Sequence, residues 1–459
     1  MANRSDLERK EIFGHPVGLY ILFFTEMWER FSYYGMRALL TLFLVASVTS
    51  DNPGWGWSND EAINLYKWYT TLVYIASIPG GIIADRFLGQ KKTVMIGGIL
   101  LCVGHLVLAY ESIEAFYIGL AFIIAGVGGL KPNISTMVGG LYPKSENDRR
   151  DQGFYIFYIG INLGAFLAGI IIGQVGEKIN WHYGFGLAGI GMLIGQLVYI
   201  FGQRYLKGVG EFSGKSENEE EREAMKRPLT RVEKDRMIVM GISFLIIIVF
   251  WGAFEQAGGL MNIYAQQNTD RVIFGWEVPA SYFQSVNAFF IFTLALAVAG
   301  FWTWWKRRGK ESSSLFKMAV GVIVMGFGFT FMSFASLQYE EFGKSAMYWL
   351  VLAYLFHTLG ELCASPVALS FITKLAPVKY ASFMMGAYFA ATGLGNFVAG
   401  TVGEQIKNAS EFQIFTGIFI FCLIFGLLII LLLKPLKRLT HGAEDSQMED
   451  GIPKETAIE

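Results

Sequence analysis

Four charged side chains lie close together in the first apolar stretch of the chain, between Glu26 and Arg37 (EMWERFSYYGMR). On translocon scales a charge at the bilayer centre costs about 2.5–3.5 kcal/mol, so such residues persist where they have partners or water, usually for function. At about 100° per residue, five side chains share one helix face: Glu26, Glu29, Arg30, Tyr33 and Arg37. Two acids and two bases on one face can neutralise one another, line a wet cavity and exchange protons. The alternative is a structural ion-pair cluster that holds helices together, although small residues serve packing at lower cost.

The composition is that of an integral membrane protein. Of 459 residues, 53% are hydrophobic and only 16% are charged, whereas soluble proteins carry about 25% charged residues. The 53 glycines suit close contact between helices in lipid. A formal net charge of −1 argues against nucleic-acid binding. Three cysteines stand in apolar stretches without metal-ligand spacing and are predicted to be core thiols outside any disulfide framework: Cys102, Cys363 and Cys422.

Apolar runs of about 20 residues predict roughly twelve membrane-spanning helices. Their approximate limits are 17–48, 62–88, 93–110, 114–139, 153–176, 183–205, 237–265, 281–305, 316–337, 346–373, 381–405 and 412–434. The N-terminal residues lack the hydrophobic region of a signal peptide. Lys and Arg are concentrated in the N-terminal segment, in alternate loops and in the segment after the last span, whereas the loop 49–61 has neither. By the positive-inside rule, both termini are predicted to be cytoplasmic.

A charged segment divides the predicted spans into six and six. Residues 206–236 hold the acidic run Glu219–Glu221, and two equal helical halves are typical of transporters whose substrate site lies between them. An ordinary solvated loop is compatible with this interpretation. The predicted organisation is an N-terminal six-helix bundle, a cytoplasmic loop, a C-terminal six-helix bundle and an acidic cytoplasmic tail: 1–205, 206–236, 237–435 and 436–459.

Several motifs resemble one family of membrane proteins. They are ExxERFxxYG at Glu26–Gly35, GGIIADRFLG at Gly80–Gly89, FYIGINLGA at Phe157–Ala165, FWGAFEQ at Phe250–Gln256 and GELxxSP at Gly360–Pro366. Together they are similar to signatures of the proton-coupled oligopeptide transporters (POT/PTR), a branch of the major facilitator superfamily. The resemblance extends over about residues 15–435. It implies an all-α membrane fold of two six-helix bundles, and a bacterial di- and tripeptide permease of the inner membrane.

Two positions depart from the family pattern. Ala165 stands where the pattern usually has Ser, and Ala288 stands where Pro often follows the Asn of FQSVN. Many bacterial relatives carry two extra helices between the halves, for which 206–236 is too short. The chain therefore resembles the plain twelve-helix form.

Charged residues of opposite sign are predicted to face each other across the central cleft. Arg30, Arg37 and Lys131 belong to the first half, and Glu255 and Glu361 to the second. Such walls suit a zwitterion, and a peptide of two or three residues at about 3.3–3.6 Å per residue would span them. The resemblance implies the same assignment, with Glu361 at the amine and the basic residues near the carboxylate. Lys131 and Glu361 are also candidates for an interbundle salt bridge, either as a gate alone or as gate and site together.

Proton coupling requires carboxyl groups that gain and lose a proton during transport. Glu26 and Glu29 lie near Arg30, and Glu255 follows Trp251 by one helical turn. We predict that protonation of the Glu26/Glu29 pair frees Arg30 for the peptide carboxylate. The sequence leaves open how protons are divided among the three glutamates, since coupled sites titrate as a group.

Neutral side chains are expected to hold the peptide backbone and enclose its side chains loosely. The candidates are Tyr34, Tyr74, Tyr158, Asn162, Trp251, Asn287 and Ser365. For each single aromatic residue the alternative is a packing or interfacial role. Four residues of the second-loop motif are predicted to steady the cytoplasmic gate: Gly80, Gly81, Asp85 and Arg86.

Other signals are weaker. His357 and Glu361 have a spacing that can bind metal, but two ligands are weak evidence, and His105 is interpreted as a packed bundle histidine. The sequence contains no P-loop, so the proton-motive force is the expected energy source, without a cofactor, ATP or an obligate protein partner. The leading hypothesis is proton-coupled import of di- and tripeptides. The alternatives are a carrier of another zwitterion or a nitrate-like anion, a peptide sensor, and a membrane enzyme, for which no catalytic triad or metal cluster is evident.

Overall fold

The computed structural model describes residues 10–142, 146–211, 228–377 and 381–443. Within these residues, twelve long helices follow one another: α1 Val17–Val45, α2 Asn59–Ile83, α3 Gln90–Leu108, α4 Ile113–Gly140, α5 Asn147–Lys178, α6 Trp181–Gly202, α7 Arg231–Phe254, α8 Tyr282–Arg307, α9 Ser314–Phe342, α10 Met347–Leu375, α11 Ala381–Gly403 and α12 Glu411–Leu431. A short helix, α13 Leu433–Leu439, follows α12.

Ten of these helices, in the part of the chain that is described, are long and apolar enough to cross a membrane. The other two are α1, which carries the charged stripe, and α11, which is rich in glycine and contains Asn396. Both are long enough to span, with 29 and 23 residues. The all-α, twelve-helix membrane architecture predicted from the sequence is confirmed.

Short elements extend or join the long helices. They are a π-helical turn Ala84–Leu88, 3₁₀ turns Gln203–Leu206, Glu255–Ala257 and Glu404–Lys407, and a helix Leu260–Gln267. Two-residue strands form three pairs: Glu11–Ile12 with His15–Pro16, Thr269–Asp270 with Ser345–Ala346, and Val272–Ile273 with Trp276–Glu277. The second pair is parallel and the others are antiparallel.

The last part of the charged segment between the halves is helical. Helix α7 begins at Arg231 because Thr230 Oγ1 accepts from the Glu233 backbone N–H at 3.2 Å, while the Glu233 carboxylate accepts from the Thr230 backbone N–H at 2.8 Å. This capping box satisfies backbone donors that a helix start otherwise leaves open. Residues 212–227, which include the acidic run, lie outside the described residues, as do residues 444–459 of the predicted tail. The beginning of that tail, up to Leu439, is helical in α13.

Contacts between the helices fall into two sets. In the first, α1 packs on α5 and α6, and α3 and α4 pack together; in the second, α9 packs on α10 and α12, and α7 on α11. The pairs α2–α11 and α5–α8 make the main contacts between the sets. This pattern supports the predicted division into two six-helix bundles, whose boundaries stay a prediction.

The basic segments meet at one end of the molecule. The Lys91 backbone N–H donates to Gly210 at 2.8 Å, Arg149 pairs with Glu11 at 2.8 Å, and Lys437 pairs with Glu311 at 2.9 Å. We call this the basic end. The positive-inside rule assigns it to the cytoplasm.

Two adjacent glycines in α2 offer a test of helix packing. A Cβ on Gly80 would lie 1.9 Å from the Gly128 carbonyl oxygen of α4, whereas a Cβ on Gly81 meets nothing within 4 Å. Gly80→Ala is expected to lower stability by about 1–3 kcal/mol, the usual cost of overpacking. Thermal unfolding in detergent measures the change. Gly81→Ala is the matched control, and an equal loss in both variants would contradict this packing account.

Candidate functional site

A cavity of about 1270 Å³ lies between the two sets of helices. All the residues predicted to bind substrate line it: Arg30, Tyr34, Arg37, Tyr74, Lys131, Tyr158, Asn162, Trp251, Glu255, Asn287, Glu361 and Ser365. These residues lie on α1, α2, α4, α5, α7, α8 and α10 or directly after α7. The tertiary structure therefore brings the whole predicted set into one space.

The cavity reaches the basic end of the molecule. Its lining includes four residues between the end of α2 and the start of α3: Gly81, Asp85, Arg86 and Gln90. Asp85 and Arg86 are exposed. Gly80 instead packs against α4. The second-loop motif thus stands at the mouth of the cavity in this conformation, where a gate would close.

Arg30 holds two carboxylates at once on α1. Its Nε lies 3.1 Å from Glu26 Oε1 and also pairs with Glu29 Oε2. All three side chains are buried, and Glu26 lines the cavity while Glu29 lies behind it. One oxygen of each glutamate has no hydrogen-bond partner among the described residues. Two buried acids on one guanidinium carry an excess negative charge, which a single proton would neutralise.

Lys131 and Glu361 do not pair with each other among the described residues. Lys131 Nζ lies 3.9 Å from the centre of the Tyr74 ring. Glu361 accepts from the Asn287 side chain at 2.8 Å, and Asn287 also donates to Thr358 at 3.0 Å. The interbundle salt bridge considered from the sequence is therefore not formed in this conformation. A cation and an anion on opposite sets of helices face the cavity without neutralising each other.

Arg37 and Glu255 instead form an ion pair that joins the two sets of helices beside the cavity. Arg37 Nη2 lies 3.1 Å from Glu255 Oε2, and both residues line the cavity. Their predicted contact with substrate stays a prediction. Tyr66 belongs to the same cluster: its hydroxyl accepts from Arg37 Nε at 2.7 Å and donates to Glu255 at 2.9 Å. Sequence reasoning missed Tyr66, because nothing in α2 distinguishes it from the other tyrosines there.

The cavity is closed at the end opposite the basic loops. Helix α7 ends at Phe254, so that Glu255 lies in a 3₁₀ turn followed by two glycines. Thr41 Oγ1 donates to the Gly258 carbonyl at 3.1 Å, and Asn262 donates to the Ala38 carbonyl at 2.9 Å. Lys67 pairs with Glu404 at 2.6 Å between α2 and the end of α11. These contacts between the sets define a state open only toward the basic end.

At position 165, the cavity is lined by an apolar side chain where the family pattern usually has a serine. Ala165 lines the cavity, while Ala288 is buried outside it. Asn162 donates to the Tyr158 carbonyl at 3.0 Å, which satisfies the partner that a buried amide needs. Tyr388 and Gln284 also line the cavity and were not predicted.

The remaining candidate side chains are packed inside the bundles. His105 Nε2 lies 2.5 Å from Ser32 Oγ, and both ring nitrogens of the buried His357 lack a partner in the described part of the chain. Cys102, Cys363 and Cys422 are buried free thiols, as predicted. No group of three or more potential metal ligands occurs among the residues that the structure describes.

The sequence matches the profile of the POT family (PTR2) over residues 91–223 and 220–418. The chain belongs to the POT family. Its multi-pass helical architecture is the one that solved POT structures share. The peptide transporter YePEPT of Yersinia enterocolitica subsp. palearctica is 34% identical, over 95% of this chain and 98% of its own length. A di-/tripeptide transporter of Lactococcus lactis subsp. lactis is 34% identical, over 94% of this chain and 97% of its own.

Solved structures of POT family members have the same fold. A peptide transporter POT mutant in complex with alafosfalin superposes with a TM-score of 0.84 at 32% identity, covering 94% of this chain and 97% of that one. A POT family transporter in complex with 5-aminolevulinic acid gives a TM-score of 0.85 at 29% identity, covering 93% and 98%. The two relatives and the two proteins of known structure are named as transporters. The family predicted from the motifs is confirmed.

Proposed function

We propose that this POT family member is a proton-coupled symporter that imports di- and tripeptides across a bacterial inner membrane. The observation that carries the proposal is the placement of Lys131 and Glu361, which form no ion pair among the described residues, on opposite walls of one cavity. A zwitterion satisfies both at once, with its carboxylate toward Lys131 and its amine toward Glu361. The names of the relatives from Yersinia and Lactococcus support peptides as the zwitterion.

The positions of the neutral residues in the cavity suggest their roles in holding the peptide. Six neutral or aromatic side chains line the same cavity as Lys131 and Glu361 and would contact the peptide backbone and side chains. They are Tyr34, Tyr74, Tyr158, Asn162, Trp251 and Asn287. A volume of about 1270 Å³ exceeds that of any single dipeptide. Loose enclosure of this kind favours broad side-chain tolerance, because the termini are the charged groups of a neutral peptide that Lys131 and Glu361 hold.

In the proposed transport cycle, the Arg37–Glu255 cluster closes one end of the cavity and the second-loop motif closes the other. In the state described, the Arg37–Glu255 cluster closes the end away from the basic loops. Opening toward that end requires this ion pair to separate, and a proton on Glu255 would remove the charge that attracts Arg37. A proton on the Glu26/Glu29 pair would release Arg30 toward the peptide carboxylate. Coupling then needs no cofactor, since the proton-motive force supplies the energy.

Uptake of labelled dialanine into proteoliposomes tests the proposal. An inward proton gradient is expected to drive accumulation that a protonophore abolishes. Dialanine exchange without accumulation would show a peptide carrier that is not coupled to protons. If correctly folded protein moves no dialanine in either assay, the peptide assignment is wrong.

A second candidate is a carrier of another small zwitterion. It is favoured by the related POT structure that holds 5-aminolevulinic acid, a zwitterion of dipeptide length without a peptide bond. Competition between labelled dialanine and this compound in the same proteoliposomes distinguishes the two. Stronger inhibition by unlabelled dialanine is the result expected for a peptide carrier.

A further inference from the structure

Helix α8 ends in an aromatic and basic cluster that transport does not use. Its last turns and the residues that follow read FWTWWKRRGK, from Phe301 to Lys310. Four of these residues are exposed cations: Lys306, Arg307, Arg308 and Lys310. We call them the α8 cations.

The helix that carries the α8 cations is the least enclosed of the ten candidate spans in the described chain. Its outer face is apolar along its length, with Leu296 85% exposed and Phe301 46% exposed. Trp304, 44% exposed, continues this face to the basic end. Exposed tryptophan at the end of a lipid-facing helix marks the headgroup level of a bilayer, so the α8 cations lie at that level.

Two of these cations lie on tryptophan rings. The Arg308 guanidinium carbon is 4.3 Å from the centre of the Trp304 ring, and Lys310 Nζ is 4.2 Å from that of Trp305. Trp305 is itself held by a hydrogen bond from its indole N–H to the Glu311 carbonyl at 2.9 Å. Stacking positions each charge while leaving its N–H donors available to an anion.

No carboxylate pairs with the α8 cations among the described residues. Glu311, the acid next to them in sequence, is engaged by Lys437 at 2.9 Å and by the Ser313 backbone N–H at 2.8 Å. Although burial acts in the opposite direction, these hydrogen bonds hold the pKa of Glu311 below its ordinary value. It therefore stays anionic and neutralises Lys437 instead of the α8 cations.

Two other cations of the basic end are neutralised by carboxylates. Lys91 pairs with Glu211, and Arg149 pairs with both Glu11 and Glu146. The α8 cations combine a high local positive charge, position at the headgroup level and a neighbouring apolar face. That combination matches a molecule with an anionic head and acyl chains.

We propose that the end of α8 is a binding site for an anionic phospholipid. The phosphate of its headgroup contacts Arg307, Arg308 and Lys310, and its acyl chains lie along the exposed face of α8. The site is separate from the transport cavity, since none of the α8 cations lines that cavity.

Native mass spectrometry of the full-length protein tests the proposal. Detergent-solubilised protein is titrated with phosphatidylglycerol and with phosphatidylcholine of the same acyl chains, and the bound fraction is measured. The wild type is expected to prefer phosphatidylglycerol. Because each cation near an anionic headgroup contributes about fivefold in affinity, the R307Q/R308Q/K310Q variant is expected to lose on the order of a hundredfold.

A matched control removes the same charge elsewhere at the basic end. K92Q/R204Q/K207Q changes three cations in the first half of the chain and is expected to retain the phosphatidylglycerol preference. Equal preference in both variants would overturn the proposal. Displacement of the lipid by millimolar inorganic phosphate would show a site for free phosphate instead. A wild type without any preference would also overturn it.

Discussion

Glu29→Gln is expected to abolish proton-driven accumulation of dialanine while leaving exchange of dialanine across the membrane intact. Glu29 and Glu26 share the Arg30 guanidinium in a buried cluster. Glutamine keeps the shape of Glu29 but fixes it in the neutral state, so the cluster no longer gains and loses charge. A neutral side chain at this position leaves Arg30 available to the peptide carboxylate, so binding of the peptide between Lys131 and Glu361 is expected to persist.

The size of the effect follows from the driving force. One charge crossing 100 mV supplies about 2.3 kcal/mol, and each tenfold of accumulation requires about 1.4 kcal/mol. A single proton per neutral peptide therefore supports roughly 50-fold accumulation. The variant is expected to reach about the external concentration and no more, in proteoliposomes with an imposed gradient.

A matched control is Glu411→Gln at the start of α12. Glu411 accepts from Asn268 at 2.8 and 2.9 Å and does not line the cavity. This variant is expected to accumulate dialanine as the wild type does. If Glu29→Gln also accumulates dialanine, the coupling proton belongs elsewhere, and Glu255→Gln becomes the next variant to measure.

The second large effect concerns recognition of the two peptide termini. Glu361→Gln is expected to weaken dialanine binding by roughly tenfold to a hundredfold, because a hydrogen bond to a charged group contributes about 1.5–3 kcal/mol. The variant should also stop discriminating against N-acetyl-dialanine, whose blocked amine carries no charge. Inhibition of labelled dialanine uptake by each compound measures both effects.

Lys131→Gln provides the reciprocal comparison. It is expected to weaken dialanine binding and to reduce discrimination against the C-terminal amide of dialanine, while it still rejects the acetylated peptide. Each variant should thus respond to only one blocked terminus. If both variants respond equally to both blocked peptides, the assignment of amine to Glu361 and carboxylate to Lys131 is wrong.

Arg37 and Glu255 show what the sequence could not supply. The sequence indicated charged residues of opposite sign in the two halves and assigned all of them to substrate, with Glu255 also a candidate for proton coupling. In the structure Arg37 and Glu255 pair directly and both bond to the Tyr66 hydroxyl, whereas Lys131 and Glu361 form no ion pair among the described residues. Residue types reveal which charges exist, but partner choice depends on the distance between helices that are far apart in the chain.

The sequence by itself determined the membrane class, the twelve-helix architecture, the family and the twelve predicted residues that line the cavity. Hydropathy and motif spacing carry this information because each span must satisfy its own backbone hydrogen bonds in lipid. Only the tertiary structure decided which end of the cavity is open, which charges are paired, and that the helix carrying Glu255 breaks at that residue. These features arise from contacts such as Thr41 with Gly258 and Lys67 with Glu404. Contacts of this kind join residues hundreds of positions apart, and no local pattern in the sequence specifies them.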